Sequence, residues 1–176
     1  MSPSDDRATA GANDAANADV RTANLLVAGQ FVLVGLVVLL PRRADWPVPG
    51  ALVVTAVLAA VVGLAVVVLA ATTLGRGLTP TPLPNAHAQL RTGGLYRFVR
   101  HPIYSGLLLI MVALAATSGS WFRLLALGLL LILLTAKARW EEARLAARFP
   151  GYARYAATTP RFVPHPRRRP ADRRTP

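Results

Sequence analysis

The stretch Gly94-Leu95-Tyr96-Arg97-Phe98-Val99-Arg100-His101-Pro102-Ile103-Tyr104 sets two guanidiniums, an imidazole and two phenols directly against an apolar run, Ser105 to Thr117. A helix that enters lipid rarely opens with so much polar chemistry unless something binds there. About forty residues further on, a second polar knot, Lys137-Ala138-Arg139-Trp140-Glu141-Glu142, closes the next apolar run. A short turn at Ser118-Gly119-Ser120 joins the two runs. Folded as a hairpin, they bring both knots to one membrane face.

Working outward, the same alternation of long apolar runs and polar breaks continues to both ends. Residues 24–40, 51–71, 103–118 and 124–136 are hydrophobic blocks, and the first, second and fourth carry no charge at all, nor does the third. A helix rises about 1.5 Å per residue, so about 20 residues cross a hydrocarbon core of about 30 Å. The second block meets that length alone; the others complete the span with flanking and snorkelling residues. Trp121 and Trp140 stand 19 residues apart, about 28 Å of helix with an indole at each interface. These runs predict an all-α integral membrane protein of about four transmembrane helices, near 24–40, 51–73, 102–118 and 121–148. The last helix has no breaker before Arg148, so it extends beyond the bilayer.

The net charge of +12 would point to nucleic acid in a soluble chain, but its distribution points to a membrane. Seventeen of the 20 Lys and Arg residues lie before the first span, between the second and third, or after Ala136; Arg42, Arg43 and Arg123 lie in the opposite connections. The positive-inside rule places the richer side, both termini and both polar knots in the cytosol. The chain has no cysteine, which removes disulfides, thiolate metal sites and cysteine nucleophiles. Four acids against two arginines before Asn24 do not suit a cleaved signal peptide. An excess of Arg over Lys and abundant Ala fit a GC-rich bacterial genome, so a bacterial cytoplasmic membrane is the expected location.

Residues 1–23 offer little to bury and are expected to be disordered. The first two helices carry no evident functional residue and read as scaffold, the second rich in small residues that permit close packing. The loop 75–99 is too long for a simple connector; it runs from a stiff Pro-rich half to His87, Gln89, Leu90, Arg91 and Gly93-Gly94. No strand precedes these glycines, so they are not a dinucleotide-binding loop. Pro102 suits the first turn of a helix, leaving Arg100 and His101 beside free backbone N–H groups that attract carboxylates or phosphates. Phe149-Pro150-Gly151-Tyr152 breaks the fourth helix, and the aromatic, basic segment to Pro164 is expected at the headgroups. Residues 165–176 read as a disordered basic tail drawn to anionic lipid, with nothing for specific nucleic-acid recognition.

The pattern Gly94-x-Tyr96-x-x-x-Arg100-His101-Pro102-x-Tyr104-x-Gly106, then Glu141-Glu142-x-x-Leu145-x-x-x-Phe149, then Tyr152-x-x-Tyr155 and Pro160-Arg161-Phe162-Val163-Pro164, resembles the isoprenylcysteine carboxyl methyltransferases and their relatives, the membrane phospholipid methyltransferases. The resemblance covers roughly residues 85–164; residues 1–74 match only as generic membrane helices. It implies one membrane domain over 24–164 and an S-adenosyl-L-methionine-dependent methyltransferase acting on a lipophilic acceptor. The cofactor pocket it implies comprises Ala88, Gln89, Leu90, Arg91, Tyr96, Arg100, His101, Pro102, Ile103, Tyr104 and Glu141. Cations and helix N–H groups suit the cofactor's carboxylate, tyrosine faces its sulfonium, and Glu141 its ammonium or ribose. Lys137 resembles the family's contact to a substrate carboxylate, with a lysine where the prenylcysteine enzymes have an arginine; a lysine acts as a point charge rather than a bidentate fork.

An anionic acceptor needs only a near-attack geometry, whereas an ethanolamine nitrogen must first lose a proton. Glu142 and His101 are the candidates for that base, and the sequence selects neither, so no catalytic residue is named. A phosphatidylethanolamine-type N-methyltransferase and a small-thiol methyltransferase are the alternative enzymes. A sterol-reductase-like enzyme would need a dinucleotide site that is not recognisable. A non-enzymatic membrane anchor would use its charged helix ends for topology alone.

Overall fold

The computed structural model describes residues 3–75 and 89–164. Among them the regular structure is entirely helical: α1 (Pro3–Leu39), α2 (Gly50–Leu74), a 3-10 turn (Gly94–Arg97), α3 (Pro102–Ala116), α4 (Trp121–Arg148) and α5 (Tyr152–Thr158). Ala16–Leu39, Gly50–Leu74 and Trp121–Arg148 are long and apolar enough to cross a membrane, and α3 is a shorter apolar helix of 15 residues. The protein is an all-α integral membrane protein. Valines and leucines of α2 such as Val54, Leu58, Val61 and Leu64 remain more than half exposed, as a surface solvated by lipid requires.

Two helix pairs make the bundle. α2 lies along α3 and α1 along α4, with α3 touching both α4 and α1. The α2–α3 pair closes at Gly63 and Gly106: a Cβ on Gly63 would stand 2.7 Å from the Gly106 carbonyl oxygen, and one on Gly106 2.6 Å from the Gly63 oxygen. Hydrogen in place of a side chain lets the backbones meet, the usual device of helix packing in lipid. Between α1, α3 and α4, Val37, Met111, Ala115, Ala126, Leu130 and Leu134 form the buried apolar core.

The end opposite the polar knots is locked by backbone pairing. Arg43 N donates to Ser118 O at 3.0 Å and Asp45 N to Gly119 O at 2.9 Å, tying the α1–α2 connection to the α3–α4 turn. Gly119 sits at φ 60° with the Arg43 carbonyl where a Cβ would be, so both its backbone conformation and its space call for glycine. Arg123, buried, donates from Nε to Leu40 O at 2.8 Å, placing a cation at the carbonyl end of α1 where the helix dipole favours it.

The helix boundaries depart from the sequence expectation at two places. α3 stops at Ala116, two residues early, because Thr117 and Ser118 turn their hydroxyls back onto Ala113 O and Ala115 O. More substantially, residues 3–23 are helical rather than disordered. Their described side chains are largely exposed, so burial does not hold them. Alanine-rich sequence costs little to propagate from an existing helix, and Asp19 forms an ion pair with Arg144 on α4. Residues 76–88 and 165–176, including His87, Ala88 and the basic tail, lie outside the described residues.

Candidate functional site at the start of helix α3 and the end of helix α4

Pro102 begins α3 and leaves His101 as its N-cap, with φ −124° and ψ 64°. That conformation lies outside the helical region, which the following proline disfavours, and the imidazole is buried at 7% exposure. From α4, Glu141 and Glu142 arrive on successive positions and so face about 100° apart. The imidazole lies between them, with Nε2 3.0 Å from Glu142 Oε1 and Nδ1 3.7 Å from Glu141 Oε2. The two polar knots of the sequence do meet.

The two carboxylates have different surroundings. Glu142 is ringed by two guanidiniums and an imidazole: Arg161 forms a fork with bonds of 2.9 and 2.7 Å, Arg100 lies at 3.2 Å and His101 at 3.0 Å. Bidentate charge-assisted bonding of this kind fixes geometry. It also holds Arg161 protonated, its pKa raised first by the bond to Glu142 and opposed by desolvation. Glu141 accepts one bond, from Tyr104 OH at 3.1 Å. The Tyr104 ring stacks on His101 with centroids 5.2 Å apart and planes 1° apart, and Phe162 meets both rings edge-on.

Below this layer, one helical turn back from Glu141, Lys137 is buried within the bundle at 2% exposure. Its Nζ donates to Gln30 Oε1 of α1 at 2.7 Å and lies 5.3 Å from the Tyr104 ring centroid. An ammonium at this depth needs such partners. Gln30 thus ties α1, read from sequence as scaffold, to the cluster. The signal was present in the sequence, a lone carboxamide in an uncharged span, but it carried no motif.

The tail supplies the lid of the cluster. Arg100 N donates to Pro160 O at 2.9 Å, His101 N to Arg161 O at 3.1 Å, and Ser105 Oγ to Phe162 O at 2.6 Å. Arg100 also reaches Ala156 O at 3.1 Å. The segment 160–162, expected from sequence at the headgroups, is therefore bonded to the start of α3. It takes up the backbone N–H groups of Arg100 and His101, just ahead of the first-turn N–H groups of α3 that the sequence reading offered to an anion. Tyr155 OH donates to Tyr96 O at 2.5 Å, and Tyr96 OH reaches Ala70 O at 3.5 Å. Burial pushes the Tyr155 phenol up to about 12, with Arg100 opposing, and raises the Tyr96 and Tyr152 phenols as well. All three remain protonated donors at neutral pH.

Of the residues singled out by sequence, Tyr96, Arg100, His101, Tyr104, Glu141 and Lys137 come together here. Pro102 is buried at the helix start. Ile103 is half-buried, and Gln89 and Arg91 are exposed. Leu90 lies at the α4–α5 corner, 3.8 Å from where a Gly151 Cβ would stand. Two buried polar atoms in this region, Arg100 Nε and Tyr152 OH, have no hydrogen-bond partner, and buried groups of this kind call for one. Among the described residues, no cluster of His, Cys, Asp and Glu could hold a metal ion.

A helical membrane protein with a charged, aromatic cluster at one end of a helix hairpin is the class these features define. The family model for phospholipid methyltransferases matches residues 51–151, more than half of the chain, and the protein belongs to that family. The match takes in α2, which sequence reading had treated as generic, and ends just before Tyr152. No curated protein matches the chain. The family assignment supports a membrane methyltransferase, and with it an enzyme working on a lipid-phase substrate.

Proposed function

We propose that the protein transfers a methyl group from S-adenosyl-L-methionine to a lipophilic acceptor that reaches the cluster from the bilayer. The observation that carries this reading is the contrast between the two adjacent carboxylates. Glu142 is saturated by Arg100, His101 and Arg161, whereas Glu141 has one protein donor and faces aromatic rings. Glu141 would accept from the cofactor's ammonium or ribose hydroxyls, and Tyr104 and Tyr96 would border its sulfonium. Arg100 Nε and the Tyr152 hydroxyl are the unmatched donors on the side where its carboxylate would lie. When bound, the cofactor supplies an electrophilic methyl group.

The chain's own part is orientation and exclusion of water. Tyr104 holds Glu141, the tail covers His101, and the acceptor meets the methyl in a near-attack geometry. Glu142, committed to the guanidiniums of Arg100 and Arg161, is unsuited to take a proton, which leaves His101 as the stronger candidate if the acceptor is an amine. Lys137 offers a cation to an acidic group on the acceptor, a carboxylate or a lipid phosphate.

Calorimetry with S-adenosyl-L-methionine on detergent-solubilised protein tests the reading, with Glu141→Gln and Tyr104→Phe beside the wild type. Micromolar binding that falls at least about tenfold in Glu141→Gln, a loss of about 1.4 kcal/mol, is expected. Labelled methyl transfer to a farnesylcysteine analogue, phosphatidylethanolamine or a small alkyl thiol then identifies the acceptor class. No binding by a well-folded wild type would sink the proposal.

A further inference from the structure

At the opposite end of the bundle, a groove of about 300 Å³ opens between α2 and α3, at the low end of the 300–1,000 Å³ range usual for ligand sites. On α2 it is lined by Val53, Ala56, Val57 and Ala60, spaced i, i+3, i+4, i+7 and thus one helix face. Ala113 and Thr117 form the α3 wall. Thr117 Oγ1 is already bonded to Ala113 O at 2.8 Å, so the wall is in effect apolar. Arg42 stands at the mouth, exposed, with no hydrogen bond or ion pair among the described residues. Its neighbour Arg43 lies over the Phe122 ring and Arg123 is bonded to Leu40 O, so of these three cations only Arg42 is uncommitted.

Depth identifies the occupant. Trp46 and Trp121 meet edge-on at 5.0 Å beside the mouth, and indoles mark the headgroup level. α2 begins at Gly50, so the groove runs from that level to Ala60, about 15 Å inward, half of a hydrocarbon core. An apolar channel one leaflet deep, with an unpaired guanidinium at headgroup height, matches one acyl chain and the phosphate above it. We propose that this groove is a binding site for an anionic phospholipid of the leaflet opposite the methyltransferase cluster, with Arg42 on its phosphate. The site is separate from that cluster: Ala113 lies 12 residues along α3 from His101, about 18 Å.

Native mass spectrometry of the full chain in detergent, titrated with phosphatidylglycerol, tests this, with Arg42→Gln and Ala60→Leu beside the wild type. One lipid retained by the wild type, held about tenfold more weakly by Arg42→Gln and lost from Ala60→Leu, is expected. Arg42 is exposed, so its variant keeps the test decisive should Ala60→Leu not fold. Glycerol 3-phosphate provides the second arm and should neither bind nor compete, because it lacks the chain. Unchanged lipid affinity in either well-folded variant overturns the proposal. So does equal binding of glycerol 3-phosphate, or a lipid-free dimer in which a second copy covers the groove.

Discussion

Glu142 and Glu141 are neighbours in sequence with opposite duties, and replacing each separates them. Glu142→Gln leaves Arg100 and Arg161 without their common counter-charge, and breaking a partly buried ion network from one side costs up to about 3 kcal/mol. Its thermal midpoint in detergent is expected to fall sharply, with cofactor affinity lost as a consequence. Glu141→Gln should keep the wild-type midpoint within a few degrees while losing affinity. Tyr155 tests the lid. Its phenol is raised to about 12 in the folded protein against about 10 unfolded. The stability it contributes is therefore complete below pH 10 and declines as pH rises through 12. Tyr155→Phe should lose about 1 kcal/mol, by a constant margin between pH 6 and 9 in thermal melts.

Among the elements, the α2–α3 contact depends on two missing side chains. Gly106→Ala places a methyl against the Gly63 carbonyl and should destabilise by about 1–3 kcal/mol. Gly128→Ala, with nothing within 4 Å of its added methyl, should be neutral or stabilising by up to about 1 kcal/mol. Paired melts of the two variants check both. Elements of this kind were legible beforehand: uninterrupted apolar runs fixed α2 and α4 to within a residue, and Pro102 marked the start of α3. The meeting of the two polar knots was legible too, because a tight turn between two apolar runs brings their far ends together, but not that His101 bonds Glu142 rather than Glu141. What could not be read depends on distance along the chain. Nothing local in Gln30 announces Lys137, 107 residues on, and nothing in Arg161 says that it grips Glu142 rather than a headgroup. The helix before Asn24 was missed because its polar residues suggested disorder, whereas its alanines continue an existing helix at little cost.

For the molecule as a whole, the charge asymmetry predicts that both ends lie on the side that holds the cluster. The absence of cysteine makes this simple to check with single-cysteine variants and a membrane-impermeant maleimide. Asn13→Cys and Arg154→Cys should label from the cytosolic side of sealed vesicles, and Asp45→Cys from the other. Labelling of Asn13→Cys and Arg154→Cys from different sides would rule out an even number of spans. The order of synthesis adds a consequence of the tail's grip on α3. Arg100 and His101 leave the ribosome some forty residues before Glu142 and sixty before Pro160 and Arg161. While α3 is entering the bilayer its cationic start is thus unpaired and, under the positive-inside rule, is expected to act as the signal that orients it. The same guanidinium is neutralised only afterwards, when its partners emerge. One residue serves first as an address for the nascent helix and later as a strut of the finished site.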